Sequence, residues 1–135
     1  MNHWKAEMRR KMIEWHPISA AEGWEESEPD GVVWVDVAKL DAAWRRTDQY
    51  VLPGGVNGQD SRYEKVGQWF EANSFSNMFF AVISDDGVEF CDGRHRFAWL
   101  RDRGVEAIQL QVPPDQEHHF IVHLGTDLRE SVLMA

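Results

Sequence analysis

Two apolar runs joined by a short polar turn constrain this chain more than any other feature. "MFFAVI" (78–83) has strand length, "SDDG" (84–87) is a tight turn ending on glycine, and "VEFC" (88–91) alternates as a returning strand. The polar stretch "DGRHR" follows at once and opens a helix expected over 94–103, with Gly104 where a left-handed cap is wanted. Asp92 is expected as its N-cap, and Gly93 opens the first turn. "AIQLQV" (107–112) then alternates, with Ile108, Leu110 and Val112 inward and Gln109 and Gln111 outward. A hairpin, a helix and a further strand in tandem point to a sheet with helices packed on it.

The flanks fit the same plan. Trp4, Met8, Met12 and Trp15 have helical spacing over 3–15, and Pro17 stops the pattern. Residues 16–31 are acidic and broken by Pro and Gly, which reads as a surface connector. "VVWVDV" (32–37) reads as a strand, after which Asp36 caps a helix carrying Val37, Leu40 and Trp44 on one face. "VLPGGVNGQD" (51–60) is a glycine-rich loop, and Ser61 with Glu64 has the form of a capping box. The helix it opens carries Tyr63, Val66 and Phe70 on one face and ends near Asn73. Asp115, after two prolines, is expected to cap a last helix running to about Leu124. The expectation is a compact mixed α+β chain: an N-terminal helix and acidic connector over 1–31, then one domain over 32–135 with a small mixed sheet flanked by helices.

Net charge is -9, which argues against broad coating of nucleic acid but permits a local basic pocket. Cys91 is the one cysteine, so no internal disulfide can form and a reducing compartment fits. It reads as a small buried hydrophobe and is expected to be unreactive. The start "MNHWKAEMRRKM" lacks the apolar core of a signal peptide, and no apolar run reaches the roughly 20 residues of a membrane span. A cytoplasmic protein without a membrane partner is expected.

The chemistry concentrates in Gly93, Arg94, His95 and Arg96. The first N–H groups of a helix lack internal partners and carry partial positive charge, so they receive anions. Gly93 permits close approach, and two guanidiniums add charged hydrogen bonds. Cations at a helix start are otherwise unfavourable by about 0.3–1 kcal/mol each. The competing reading is that Arg94 pairs with Asp92 or another carboxylate and the segment only turns a corner. Gly54 and Gly55 either line the same site or belong to a flexible loop; the stretch lacks the Lys and Ser/Thr of a P-loop. Arg62, Tyr63 and Glu64 either face the site, Tyr63 stacking on a base, or are a solvated arginine beside a core tyrosine. His119 and His123 have metal-sharing spacing but no supporting third ligand, so they read as a polar helix face and no metal ligands are assigned. Asp85 and Asp86 read as turn residues.

"DGRHRFAWLRDRGVEAIQLQVP", with "RYEKVGQWFEANSFSNMFFAVI" before it, resembles the core of the ParB/sulfiredoxin superfamily over about residues 32–113. "VDVAKLDAAW", "RY" and "DGRHRFAWLRD" are most similar to its plasmid fertility-inhibition branch, small factors that block transfer of competing DNA. ParB proteins carry Gly-Glu-Arg-Arg at the positions of Gly93, Arg94, His95 and Arg96. The acidic residue is absent here, so ParB-type CTP hydrolysis does not carry over. The chain after residue 113 also lacks room for a ParB DNA-reading domain. Sulfiredoxins carry Gly-Cys-His-Arg, and Arg94 stands where their reactive cysteine belongs.

Two functions follow. In the first, the turn binds a nucleotide or DNA phosphate, Gly93, Arg94 and Arg96 hold it, and His95 and Arg96 serve DNase or NTPase chemistry. Mg²⁺ would arrive with the nucleotide, and Asp92 or Glu64 would help hold it. In the second, the fold is a non-catalytic module that occludes a protein of a conjugation or secretion apparatus. A redox role for Cys91 ranks last.

Overall fold

The computed structural model describes residues 10–18, 29–58 and 61–134. Four strands form the main sheet: β3 (Gly31–Asp36), β5 (Phe79–Ser84), β6 (Gly87–Asp92) and β7 (Ala107–Val112), in the order β3-β7-β5-β6. β3 lies antiparallel to β7, β5 parallel to β7, and β5 antiparallel to β6 as the expected hairpin. Among the described residues, four helices accompany the sheet: α1 (Val37–Trp44), α2 (Arg62–Ala72), α3 (Arg94–Asp102) and α4 (Glu117–Leu124). The fold is therefore mixed α+β.

Asp36 ends β3 and its Oδ2 accepts from the Lys39 N–H at 3.0 Å, so one residue stops the strand and starts α1. Val37, Leu40 and Trp44 are buried, as the spacing requires. Trp44 is the centre of an aromatic box, edge-on to Tyr50, Phe90 and Phe97 at 4.7, 5.2 and 5.5 Å. Gly104 takes φ +80 beyond the C-terminus of α3.

The helix expected over 3–15 does not form across its described part. β1 (Arg10–Met12) pairs with β8 (Val132–Met134), and β2 (Glu14–His16) pairs in parallel with β4 (Phe75–Asn77). Ile13 and Trp15 enter the core. Trp15 donates to Ser131 Oγ at 2.9 Å and meets Phe79 edge-on at 5.3 Å. These long-range partners override the local spacing. Trp4 and Met8 lie outside the described residues, as does most of the acidic connector.

Three expected caps also differ. Ser61 precedes α2 but its side chain makes no capping bond. Gln116, not Asp115, precedes α4, because Pro114–Gln116 forms a short 3₁₀ turn first. Asp92 stays in β6, and Gly93 occupies the cap position of α3. Gln111, expected outward, is buried: its amide bonds the Ile18 backbone and donates to Asp30 Oδ2 at 3.0 Å. β7 is a central strand, so a polar side chain on it has to find partners inside.

Candidate anion-binding cleft

The cleft begins where β6 stops. Phe80 pairs with Asp92 and Ala81 with Phe90, so Cys91 is an extra residue bulged from the edge strand. The bulge and the outward turn of the strand expose Cys91, against the expected burial. Partial burial, with the carboxylates of Asp92 and Glu89, pushes its thiol above the ordinary range. At Phe90 the open edge is met by a side chain. Gln49 Oε1 accepts from the Phe90 N–H at 2.5 Å, and its Nε2 donates to the Phe90 carbonyl at 3.2 Å.

Gly93 turns the chain with φ +87, and a Cβ there would lie 2.5 Å from the Phe79 ring. Only glycine satisfies both demands. The Phe97 N–H bonds to the Gly93 carbonyl at 2.8 Å, the first bond of the helix ladder, so the amides of 94–96 form the first turn ahead of it. The cap position is a glycine and offers this turn no side-chain oxygen.

A cleft of about 690 Å³ lies against this turn, lined by Gln49, Phe90, residues 91–96 and a face of α2. From α2 come Arg62, Lys65, Val66 and Trp69, one stripe of that helix. Among the described residues, Arg62, Lys65, Arg94 and Arg96 thus share one cleft with one lining carboxylate, Asp92. In a chain of net charge -9 this is a local reversal of sign.

The lining cations differ in what they hold. Arg94 Nη1 donates to the Gln49 carbonyl at 2.7 Å. Arg96 is tied more tightly: Nη1 donates to Ser76 Oγ at 3.1 Å and to the Asn77 carbonyl at 3.3 Å, and Nη2 meets Asp92 Oδ1 at 3.2 Å. Its guanidinium also covers the Phe79 ring at 4.9 Å. Arg62 and Lys65 are exposed. His95 is buried, and burial, followed by the charges of Arg94 and Arg62, lowers its pKa. The shift favours the neutral imidazole. A Cβ added at Gly58 would lie 3.1 Å from His95 Nε2, so the glycine-rich loop passes directly against this ring.

The residues singled out in the sequence divide between two places. Arg62, Asp92, Gly93, Arg94, His95 and Arg96 line the cleft. Tyr63, Gly54 and Gly55 gather at Asp102, near the other end of α3: Tyr63 Oη donates to Asp102 Oδ2 at 2.5 Å and the Gly54 N–H donates to the same oxygen at 2.9 Å. Gly55 packs on Tyr63, where a Cβ would lie 2.6 Å from the ring. Glu64 is exposed and is not among the lining residues. Lys65, Trp69 and Gln49 are cleft residues that the sequence reading passed over. Arg62, Lys65 and Trp69 at i, i+3 and i+7 were a readable signal; Gln49 carried none.

No protein-family model and no curated protein matches the chain. A solved structure similar to it is the crystal structure of the oncogenic suppression activity protein, a plasmid fertility inhibition factor, as its gold(I) cyanide derivative. The TM-score is 0.58 at 16% identity, over 82% of this chain and 63% of that one. The two chains share a fold, and this one spans somewhat less than two thirds of its neighbour's length.

Proposed function

We propose that the cleft at the start of α3 binds the phosphate of a nucleotide or of DNA, and that the chain acts as a small ParB-like factor interfering with DNA transfer, in the manner of plasmid fertility inhibition. The observation that supports this most is the gathering of Arg62, Lys65, Arg94 and Arg96 around a helix start in an acidic protein. A helix N-terminus and guanidiniums in one cleft hold an anion better than either alone. The shared fold with a plasmid fertility inhibition factor supports the broader role.

In this reading Arg94, Arg62 and Lys65 meet the phosphate oxygens. Arg96 supplies charge and fixes the turn by tying it to β4. Neutral His95 is a proton acceptor beside the cations, as a phosphoryl-transfer base requires. Bound Mg²⁺ would neutralise phosphate charge. Asp92 is the lining carboxylate available to it, which suits an ion held largely by substrate phosphates. Glu64 is not placed for this. A non-catalytic module is the second reading; the half-exposed Ile121 and Val122 on α4 favour it as a surface for a partner protein.

Calorimetric titration with nucleoside triphosphates and short oligonucleotides, with and without Mg²⁺, tests the cleft. Arg94→Ala should weaken binding about 10- to 150-fold, the worth of one charged hydrogen bond of about 1.5–3 kcal/mol. Unchanged affinity would remove Arg94 from the site. Hydrolysis of the bound ligand that disappears in His95→Gln separates the enzyme from the module.

A further inference from the structure

Trp69 lines the cleft and also heads a row of rings leading out of it. Its ring meets Phe75 edge-on at 5.3 Å, and Phe75 stacks on His16 at 5.2 Å with 20° between planes. Trp69 and Phe75 remain 42% and 37% exposed, although both rings could bury apolar area elsewhere. Trp69 is fixed in place, its indole N–H donating to the Phe75 carbonyl at 2.9 Å. Arg96 bonds Ser76 and Asn77 beside Phe75, so the row on β4 is joined to the cationic turn by direct contacts.

Exposed rings running out from a cationic cleft match the chemistry of an unpaired strand. Its phosphates seek Arg62, Lys65 and Arg94, and its bases present π-faces to stack on rings. A duplex hides those faces, and a free phosphate has none. We propose that the cleft takes a phosphate of a single-stranded nucleic acid and that neighbouring nucleotides run out over Trp69 and Phe75. The proposal rests on the phosphate reading of the cleft and narrows it to one ligand form. The path is short. His16, at the far end, is engaged with the Glu14 carboxylate, which repels further phosphates.

Fluorescence anisotropy with a short labelled oligothymidylate tests this, with thymidine monophosphate, inorganic pyrophosphate and a duplex of equal length as competitors. The oligonucleotide should bind at least about tenfold more tightly than the mononucleotide or the duplex. Trp69→Ala should cost it roughly 10- to 100-fold, and Trp69→Phe should recover most of that loss. Neither change should alter pyrophosphate affinity. Phe75→Ala should weaken the oligonucleotide alone. With about three phosphates engaged, the slope of log affinity on log salt should be near −2. Equal affinity for the duplex, or an oligonucleotide affinity untouched by Trp69→Ala while pyrophosphate still binds, overturns the strand path and leaves the cleft. Failure of pyrophosphate to bind the unaltered protein overturns the cleft itself, and the strand path with it.

Discussion

The two ends of α3 use arginine in opposite ways. At the C-terminal end, Arg101 Nε donates to Asp102 Oδ1 at 2.9 Å and Nη1 to Asp41 Oδ1 at 3.0 Å and to the Val51 carbonyl at 2.7 Å. Burial alone would lower its pKa, but the bonds to Asp102 and Asp41 outweigh that and raise it. Asp102 mirrors this: burial raises it, and the bonds from Arg101, Tyr63 and the Gly54 amide pull it below the ordinary carboxylate range. Tyr63, half-buried and bonded to Asp102, is pushed up to about 12. Here one guanidinium is shared between two carboxylates, at the end of a helix where cations are favoured. At the N-terminal end, four cations gather around one carboxylate among the described residues, where the dipole disfavours them. The first end closes the structure; the second leaves positive charge on the wall of a cleft.

The largest break in that contrast should come from Arg101→Ala. Its side chain is only 10% exposed, with partners Asp41 and Asp102 at 21% and 12%. Removing it leaves two largely buried carboxylates without their cation, a loss of about 3–5 kcal/mol. Urea denaturation should show this as a lower midpoint. Arg94→Ala, at the other end, should change stability by less than about 0.5 kcal/mol and leave the midpoint almost in place. If the two arginines cost the same, the division between the two ends fails.

The same contrast explains what could be read in the sequence. The hairpin, Asp36, the stripe Val37–Leu40–Trp44 and Gly104 were legible because each depends on neighbours within a few positions. So were half of the lining residues, since Asp92 to Arg96 are contiguous and Arg62 opens a helix. β1 and β2 were not, because three-residue strands carry too little pattern and their partners lie more than fifty positions away. Cys91 was misplaced because the strand bulges there. Gln111 was misplaced because alternation cannot tell a central strand from an edge. Arg101 was not singled out, because its carboxylate Asp41 is on α1, distant in sequence.

The glycines bracketing α3 sharpen the comparison at intermediate size. Both are left-handed, with φ +87 at Gly93 and +80 at Gly104. A Cβ at Gly104 meets nothing within 4 Å, while one at Gly93 meets Phe79 at 2.5 Å. Gly104→Ala should therefore cost only the left-handed strain of about 1–2 kcal/mol. Gly93→Ala adds overpacking of about 1–3 kcal/mol, for roughly 2–5 in all, and should shift the amides that define the cleft. Thermal melts should rank the two, and anion affinity should fall in Gly93→Ala alone. Equal costs would mean that Phe79 yields easily and that the turn is less fixed than its contacts imply.

The smallest effect belongs to His95, and it is one of pH. Burial and the charges of Arg94 and Arg62 hold its folded pKa below the unfolded value near 6.5. The unfolded chain therefore takes up a proton before the folded one does, and stability present above about pH 6.5 is lost as pH falls toward the folded pKa. Melting temperature should drop between about pH 7 and 5 more steeply in the unaltered protein than in His95→Gln, which has nothing to titrate there. Parallel curves would show that His95 ionises as freely folded as unfolded. A bound anion supplies the sharper form of the test. Phosphate in the cleft offsets the charges of Arg94 and Arg62, so saturating pyrophosphate should raise the His95 pKa and flatten the slope. Flattening in the unaltered protein, and none in His95→Gln, would tie the buried imidazole to the occupant of the cleft. A slope that pyrophosphate leaves unchanged would place the anion too far from His95 for the ring to serve as its base.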